Sequence, residues 1–195
     1  MGDTVNGRSE EFWIFGYGSL IWKPPPFFDR RIHGYVTGYV RRFWQPGFVV
    51  TLIERSFWES LEDPEMSASH RVLGTAYRIE PANVAHVRAY LDLRETNGYT
   101  LHETTFHPAH GSPDIRVFVY IGTPDNPQFC GPQDPQFLAE RIYSSSGQSG
   151  LNRNYLYSLE SALLDMNSEE ADYHVANLAD RVRKLALLCS RECMG

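Results

Sequence analysis

Short segments rich in valine, isoleucine, tyrosine, phenylalanine and threonine follow one another through the first two thirds of the chain. Proline and glycine separate them, which is typical of β-strands joined by tight turns. The first segment is wholly apolar and runs directly into Gly16-Tyr17-Gly18-Ser19, which predicts a buried strand that ends in a glycine loop. The predicted strands cover 12–15, 34–45, 47–54, 72–79, 99–108 and 115–122.

Helical patterns fill most of the remainder. Pro81 stands where the first turn of a helix tolerates proline, and Val84, Val87 and Leu91 form an apolar stripe behind it. Further helices are predicted at 134–143, 152–164 and 168–188. Strands therefore come mostly before helices, and this order predicts an α+β fold built on a mixed, barrel-like sheet.

A single folded domain is predicted over 12–188, because the chain shows no internal repeat and no second hydrophobic core. Residues 1–11 are expected to form a disordered leader, and residues 189–195 a tail. The segment from Arg55 to Arg71 is polar and acidic and contains Pro64, which predicts a surface insertion.

The composition argues for an ordinary globular protein and against several other classes. The chain has 195 residues, of which 42% are hydrophobic and 22% charged, as in ordinary globular domains. Its net charge of −6 argues against nucleic-acid binding, which needs a clustered basic surface. Three cysteines without a CxxC pair offer neither a disulfide framework nor a zinc site. No signal peptide and no apolar run of membrane-spanning length is recognisable, so we expect a cytoplasmic location without membrane association.

A search for a protein nucleophile or a metal site finds none that is convincing. Ser149 lacks the glycine that a nucleophile elbow needs at the position of Leu151, and Cys130 has no evident histidine partner. His102 and His107 resemble a zinc motif, but in a strand with this spacing they would point to opposite faces. These residues predict neither a metal nor a cofactor.

Two features with possible chemistry remain. Glycine in Tyr17-Gly18-Ser19-Leu20 would let backbone N–H groups approach a carboxylate or a developing oxyanion, although many such turns are only turns. Glu95 follows Leu93-Arg94 at the end of an apolar helix. Burial would raise the pKa of this carboxyl group and suit it to act as a base. The alternative is a helix-end glutamate paired with Arg94.

Taken together, the signatures of this chain resemble those of the ChaC-type glutathione-specific γ-glutamylcyclotransferases, over about 12–183. Each signature is modest alone, and the set is specific because of its order and spacing. The matching stretches are Phe15-Gly16-Tyr17-Gly18-Ser19-Leu20-Ile21-Trp22-Lys23, Gly38-Tyr39, Arg41-Arg42-Phe43-Trp44-Gln45, Val49-Val50-Thr51-Leu52-Ile53, Tyr90-Leu91-Asp92 with Glu95 and Tyr99, Tyr120-Ile121-Gly122-Thr123-Pro124-Asp125-Asn126-Pro127, and Ser149-Gly150 with Asn152, Tyr155 and Leu156.

The resemblance implies a γ-glutamylcyclotransferase-like α+β fold around a small β-barrel. It also implies the conversion of glutathione to 5-oxoproline and cysteinylglycine, with glutathione as the small-molecule substrate and no cofactor. The nucleophile in this reaction is the α-amine of the substrate, which would account for the missing protein nucleophile. The catalytic glutamate of the family falls on Glu95. Its substrate-binding loop and the implied pocket neighbours fall on Tyr17, Gly18, Ser19, Leu20, Arg42, Tyr99, Tyr120 and Tyr155.

One departure from the family pattern leaves alternatives open. Family members carry a glycine-, serine- and basic-rich stretch where Gln45 here joins Pro46 directly, and its absence bears on substrate affinity and specificity. One alternative is a cyclotransferase for other γ-glutamyl compounds. The other is a catalytically impaired binding protein that keeps the fold and the pocket.

Overall fold

The computed structural model describes residues 11–43, 49–63, 69–94, 99–126, 129–147, 150–166 and 172–192. Five strands close a barrel in the order β1-β5-β2-β6-β7. Strand β1 pairs with β7 in parallel, with Ile14 opposite Phe118, and the other pairs in the barrel are antiparallel. The barrel strands are β1 Trp13–Gly16, β2 Phe28–Thr37, β5 Arg71–Ile79, β6 Tyr99–Pro108 and β7 Ile115–Gly122. The prediction of a mixed α+β barrel is confirmed.

A separate hairpin lies beside the barrel and consists of β3 Tyr39–Phe43 and β4 Val50–Glu54. The buried hydroxyl of Thr51 in β4 accepts a hydrogen bond from the N–H of Gly122 at 2.8 Å, which fixes the hairpin to the end of β7. The prediction of one strand over 34–45 is wrong. Gly38 has a φ of 81° and divides this segment, so that β2 stays in the barrel while β3 leaves it.

Five α-helices are found in the described part of the chain. They are α1 Arg55–Trp58, α2 Val84–Arg94, α3 Pro135–Ser144, α4 Asn152–Met166 and α5 Tyr173–Glu192. A one-turn 3-10 helix, Pro81–Asn83, precedes α2, and the short hairpin of β8 Ser146–Gly147 and β9 Gly150–Leu151 precedes α4. Helix α5 ends four residues beyond its predicted end, inside the predicted tail. None of the helices in the described ranges combines the length and the apolar character that a membrane crossing requires.

Both faces of the barrel wall are covered. Trp13 and Phe15 of β1 belong to the larger core, which includes apolar residues of α3, α4 and α5, whereas Ile14 belongs to a second core formed with α2. This arrangement explains why β1 is apolar at every position rather than alternating. It also places the end of α2 near the residues that follow β1.

The prediction that 55–71 is a surface insertion is wrong for its first part. Trp58 of α1 is only 2% exposed and packs in a small core with Val40 and Ile53. Five residues on, the side chain of Asp63 is also almost completely buried and forms an ion pair with Arg42. Residues 64–68 lie outside the described ranges.

Candidate active site

The predicted glycine loop forms directly after β1. Tyr17 and Gly18 are buried, and the chain then makes a one-turn 3-10 helix over Ser19–Ile21, in which the Ile21 N–H donates to the Gly18 carbonyl at 3.0 Å. The N–H groups at the start of such a turn have no acceptor within the turn itself. We call residues 17–20 the glycine loop below.

Tyr77 of β5 holds this loop from the barrel side. Its hydroxyl donates to the Leu20 carbonyl at 2.8 Å, and Tyr77 is fully buried. Burial raises the pKa of Tyr77, which keeps the hydroxyl protonated and available as a donor. Tyr77 was not among the predicted site residues, because a tyrosine in an apolar strand gives no signal of which carbonyl its hydroxyl will reach.

Gly18 allows helix α4 to approach the loop closely. A Cβ atom at Gly18 would lie 2.9 Å from the Tyr155 hydroxyl oxygen and 3.3 Å from a methyl carbon of Val50. The Val50 N–H donates to the same hydroxyl at 3.4 Å, and the ring of Trp22 packs edge-on against Tyr155. The structure therefore brings together two of the predicted site residues, Gly18 and Tyr155, at a contact that only glycine permits without displacement.

Tyr17 and Tyr120 connect the loop to β7 and α2. The Tyr17 hydroxyl donates to the Tyr120 carbonyl at 2.6 Å, and the Tyr120 hydroxyl donates to Asp92 Oδ1 at 2.6 Å. The hydrogen bond from Tyr17 is buried, whereas the one from Tyr120 is only partly buried because Asp92 is exposed. Two of the predicted site residues thus contribute to one hydrogen-bond chain that runs from the buried side of the loop to the surface of α2.

The last residue of α2, Arg94, also reaches the glycine loop. Its Nη2 donates to the Ser19 hydroxyl oxygen at 2.5 Å. Both side chains are partly exposed, so this contact lies at the open side of the loop.

Arg42 has a different environment from the other predicted site residues. Its Nε and Nη2 donate to Asp63 Oδ2 at 3.1 and 2.8 Å, and its Nη1 donates to the carbonyl of Arg41. Trp58 Nε1 donates to the same carboxylate oxygen at 2.6 Å, and the Arg42 guanidinium lies over the Trp58 ring. We call Arg42, Trp58 and Asp63 the Arg42 corner. Its guanidinium is directed to Asp63, not to the glycine loop.

The remaining predicted residues are placed only in part. Tyr99 opposes Gly122 in the β6–β7 pair and packs against the core that contains Tyr120. Glu95 lies outside the described residues, as does the junction of Gln45 and Pro46. Within the described ranges, histidine, cysteine, aspartate and glutamate side chains form no group of three or more that could hold a metal ion.

The site thus consists of a closed barrel and a glycine loop that follows its first strand and is held by Tyr77 and Tyr17. A comparison with known proteins identifies the family that has these features. The family model described as "ChaC-like protein" matches residues 12–185. The chain therefore belongs to the ChaC-like family, as the signatures predicted.

Curated relatives and a solved structure agree with this assignment. The glutathione-specific γ-glutamylcyclotransferase of Schizosaccharomyces pombe is 40% identical, with 88% of this chain and 92% of that protein covered. The human glutathione-specific γ-glutamylcyclotransferase 1 is 36% identical, with 91% and 81% covered. The crystal structure of a selenomethionine-labelled γ-glutamyl cyclotransferase specific to glutathione from yeast superposes with a TM-score of 0.79 at 32% identity, over 90% of this chain and 97% of that one. The chain therefore has the γ-glutamylcyclotransferase-like fold.

Proposed function

We propose that this protein is a glutathione-specific γ-glutamylcyclotransferase that converts glutathione to 5-oxoproline and cysteinylglycine in the cytosol, without a cofactor. The observation that carries the proposal is the similarity to relatives of that name, at 36–40% identity over more than four fifths of each protein. The glycine loop and the tyrosines that contact it support the same conclusion. The cytosolic location is a prediction from the sequence.

The reaction needs positioning and proton transfer rather than a protein nucleophile. The α-amine of the γ-glutamyl group attacks the γ-carbonyl carbon and forms the C–N bond of the five-membered ring. The amide bond to cysteine then breaks, and the cysteine nitrogen leaves with a proton as the amine of cysteinylglycine. Holding the chain in the attacking conformation can be worth an effective concentration of about 10⁵ M or more.

Glu95 is the group that we propose moves the proton. The substrate ammonium must lose a proton before attack, and the departing nitrogen must gain one, so a single carboxyl group of raised pKa can do both in turn. Arg94 and Tyr99 bracket the segment that contains Glu95, and both side chains belong to the site just described. This neighbourhood supports the assignment that the family signature gives to Glu95.

The glycine loop is the group that we propose binds the developing negative charge. Its N–H groups at Ser19 and Leu20 begin a 3-10 turn, and they would donate to the α-carboxylate or to the tetrahedral oxyanion. Losing one such donor costs about 3 kcal/mol of transition-state stabilisation. The hydrogen bonds from Tyr77 to Leu20 and from Tyr17 to Tyr120 hold this loop in place before substrate binds.

Tyr155, Tyr120 and Tyr99 are proposed to line the pocket around this loop, with Tyr155 nearest to Gly18. Arg42 was predicted as a further pocket residue, and its contact with substrate stays a prediction. Its hydrogen bonds support a role in holding β3 and the segment around Asp63.

The substitution Glu95→Gln tests the proposal. Turnover should fall about 10²- to 10⁴-fold, the usual contribution of a general acid–base group, while glutathione binding is largely retained. The measurements are 5-oxoproline release and calorimetric binding of glutathione. Glu103→Gln is the matched control, because Glu103 pairs with Arg116 on the exposed side of the β6–β7 pair, and its turnover should match wild type. Wild-type turnover in E95Q would remove Glu95 from this role.

A second candidate keeps the chemistry but changes the substrate. The γ-glutamylcyclotransferase 2-3 of Arabidopsis thaliana is 32% identical over 89% of this chain, and its name does not specify glutathione. Glutathione and γ-glutamyl-alanine should therefore be compared side by side for 5-oxoproline release. Faster release from γ-glutamyl-alanine would favour this alternative, and release from neither would favour an impaired binding protein.

A further inference from the structure

Arg94 ends α2, and its guanidinium donates to the Ser19 hydroxyl in the glycine loop. We propose that Arg94 binds a carboxylate of the γ-glutamyl substrate and that the Ser19 hydroxyl completes this binding site. The inference rests on the proposed function and adds to it a substrate-binding residue. The sequence alone indicates for Arg94 only a possible ion pair with Glu95.

The Arg94 guanidinium has capacity for an anionic ligand. No ion pair joins it to another residue of the described ranges, in contrast to Arg41, Arg42 and Arg78. The neighbouring acid Asp92 is engaged with Tyr120, whose hydroxyl donates to Asp92 Oδ1. A guanidinium offers five N–H donors in a planar fork, and the Ser19 hydroxyl takes one of them. The others match the geometry of a carboxylate.

The Ser19 hydroxyl can add one more hydrogen bond to a carboxylate that Arg94 binds. Its oxygen accepts from Arg94, so its own hydrogen points elsewhere and can be donated to a ligand beside the guanidinium. Accepting a hydrogen bond from a cation also polarises the hydroxyl and makes it a better donor. Arg94 and Ser19 together therefore offer several N–H and O–H donors to a ligand.

The net charges of the protein and of glutathione also favour a cationic binding site. The protein carries a net charge of −6, and glutathione is itself an anion with two carboxylates and one ammonium group. A local cation at the open side of the glycine loop offsets the repulsion between them. Arg42, the arginine that was predicted for the site, already donates to Asp63 and to the Arg41 carbonyl.

The substitution Arg94→Met tests the inference, because it removes the charge and keeps much of the apolar stem. We expect the KM for glutathione to rise about 10- to 100-fold, the usual effect of losing a charged hydrogen bond, with a smaller change in kcat. Arg94→Lys keeps the charge and should recover part of the loss. Arg88→Met is the matched control on the same helix, since Arg88 lies over the Phe12 ring and its removal should leave KM unchanged. Thermal unfolding verifies that each variant is folded.

Two competitive inhibitors identify which carboxylate is bound. The glycyl ethyl ester of glutathione lacks the glycyl carboxylate, and 4-aminobutyryl-cysteinylglycine lacks the α-carboxylate. The inhibition constant of the analogue that lacks the bound carboxylate should be the same for wild type and R94M, whereas that of the other analogue should rise.

Four results would overturn the inference. Equal rises for both analogues would show that Arg94 recognises neither carboxylate. A fall in kcat with KM unchanged would mean that Arg94 acts through Glu95 instead. If wild type turns over glutathione and R94M has an unchanged KM, the inference is wrong but the proposed function stands. Wild-type protein that releases no 5-oxoproline defeats the proposed function and this inference with it.

Discussion

Arg42 and Arg94 have opposite environments. Arg42 is 4% exposed, and its guanidinium donates to the buried carboxylate of Asp63. Arg94 is half-buried and donates to a neutral hydroxyl in the loop. The family resemblance placed Arg42 among the pocket residues, whereas Arg94 was considered only as an ion-pair partner of Glu95.

The difference shows how burial and partner decide what a charge does. A buried guanidinium must keep its carboxylate, because separation leaves an uncompensated charge away from water. It therefore acts as a structural element that connects β3 to the segment after α1. A partly exposed guanidinium without a carboxylate partner in the described ranges can exchange water for a ligand at small cost. By this criterion the Arg42 guanidinium is bound within the fold, whereas Arg94 keeps donors for the carboxylate that we propose it binds.

Breaking the Arg42 corner should have the largest effect on stability. Asp63→Ala removes the shared acceptor of Arg42 and Trp58, and we expect the free energy of unfolding to fall by about 3–5 kcal/mol. Chemical denaturation measures this loss. The control is Asp180→Ala, because Asp180 is 68% exposed in its pair with Arg183 and should contribute little. A loss in D63A no greater than in D180A would contradict the structural role of this corner.

Tyr77→Phe should separate stability from catalysis at the glycine loop. Removing one hydroxyl that donates to the Leu20 carbonyl should cost about 1 kcal/mol of stability. Because the loop would lose its anchor, kcat should fall about tenfold or more, with a smaller change in KM. Tyr157→Phe is the control, since the ring of Tyr157 on α4 packs against Arg183 of α5. An unchanged kcat in a destabilised Y77F would show that Tyr77 only supports the fold.

Arg78→Met should have the smallest effect on the free energy of unfolding. Comparison with Asp63→Ala then shows how much burial of the ion pair matters. Arg78, like Arg42, is hydrogen-bonded to carboxylates, here those of Glu11 and Asp29, but all three side chains lie at the surface. Hydrogen bonds donated by Trp13 and Arg78 lower the pKa of Glu11. A hydrogen bond donated by Arg78 likewise lowers the pKa of Asp29. Both folded pKa values are below the unfolded values near 4, so the stabilisation is complete above about pH 4 and is lost as pH falls through the folded values.

Chemical denaturation of wild type and R78M at pH 7 and at acid pH checks this prediction. The difference in the free energy of unfolding should be small at pH 7 and smaller in acid. A difference as large as that in D63A, or one that grows in acid, would mean that burial is not what distinguishes the Arg42 corner from this surface cluster.

The elements with a strong local signal were predicted closely. Strands β6 and β7 have the predicted bounds, and the glycine loop follows β1 where the apolar run stops. The predictions failed where a distant residue decided the outcome. Asp63 looked like part of an exposed acidic stretch, and only its contact with Arg42, 21 positions earlier, explains its burial.

The sequence by itself determined the strand-rich order, the glycine loop and the family to which the chain belongs, because these depend on residue type and local spacing. The tertiary structure decided which polar groups meet: Tyr77 with Leu20, Tyr17 with Tyr120, Arg42 with Asp63, and Arg94 with Ser19. These partners are between 21 and 103 positions apart, and barrel closure and helix packing bring them together. A hydrogen bond depends on tenths of an ångström, and no local pattern in the sequence encodes a distance of that kind.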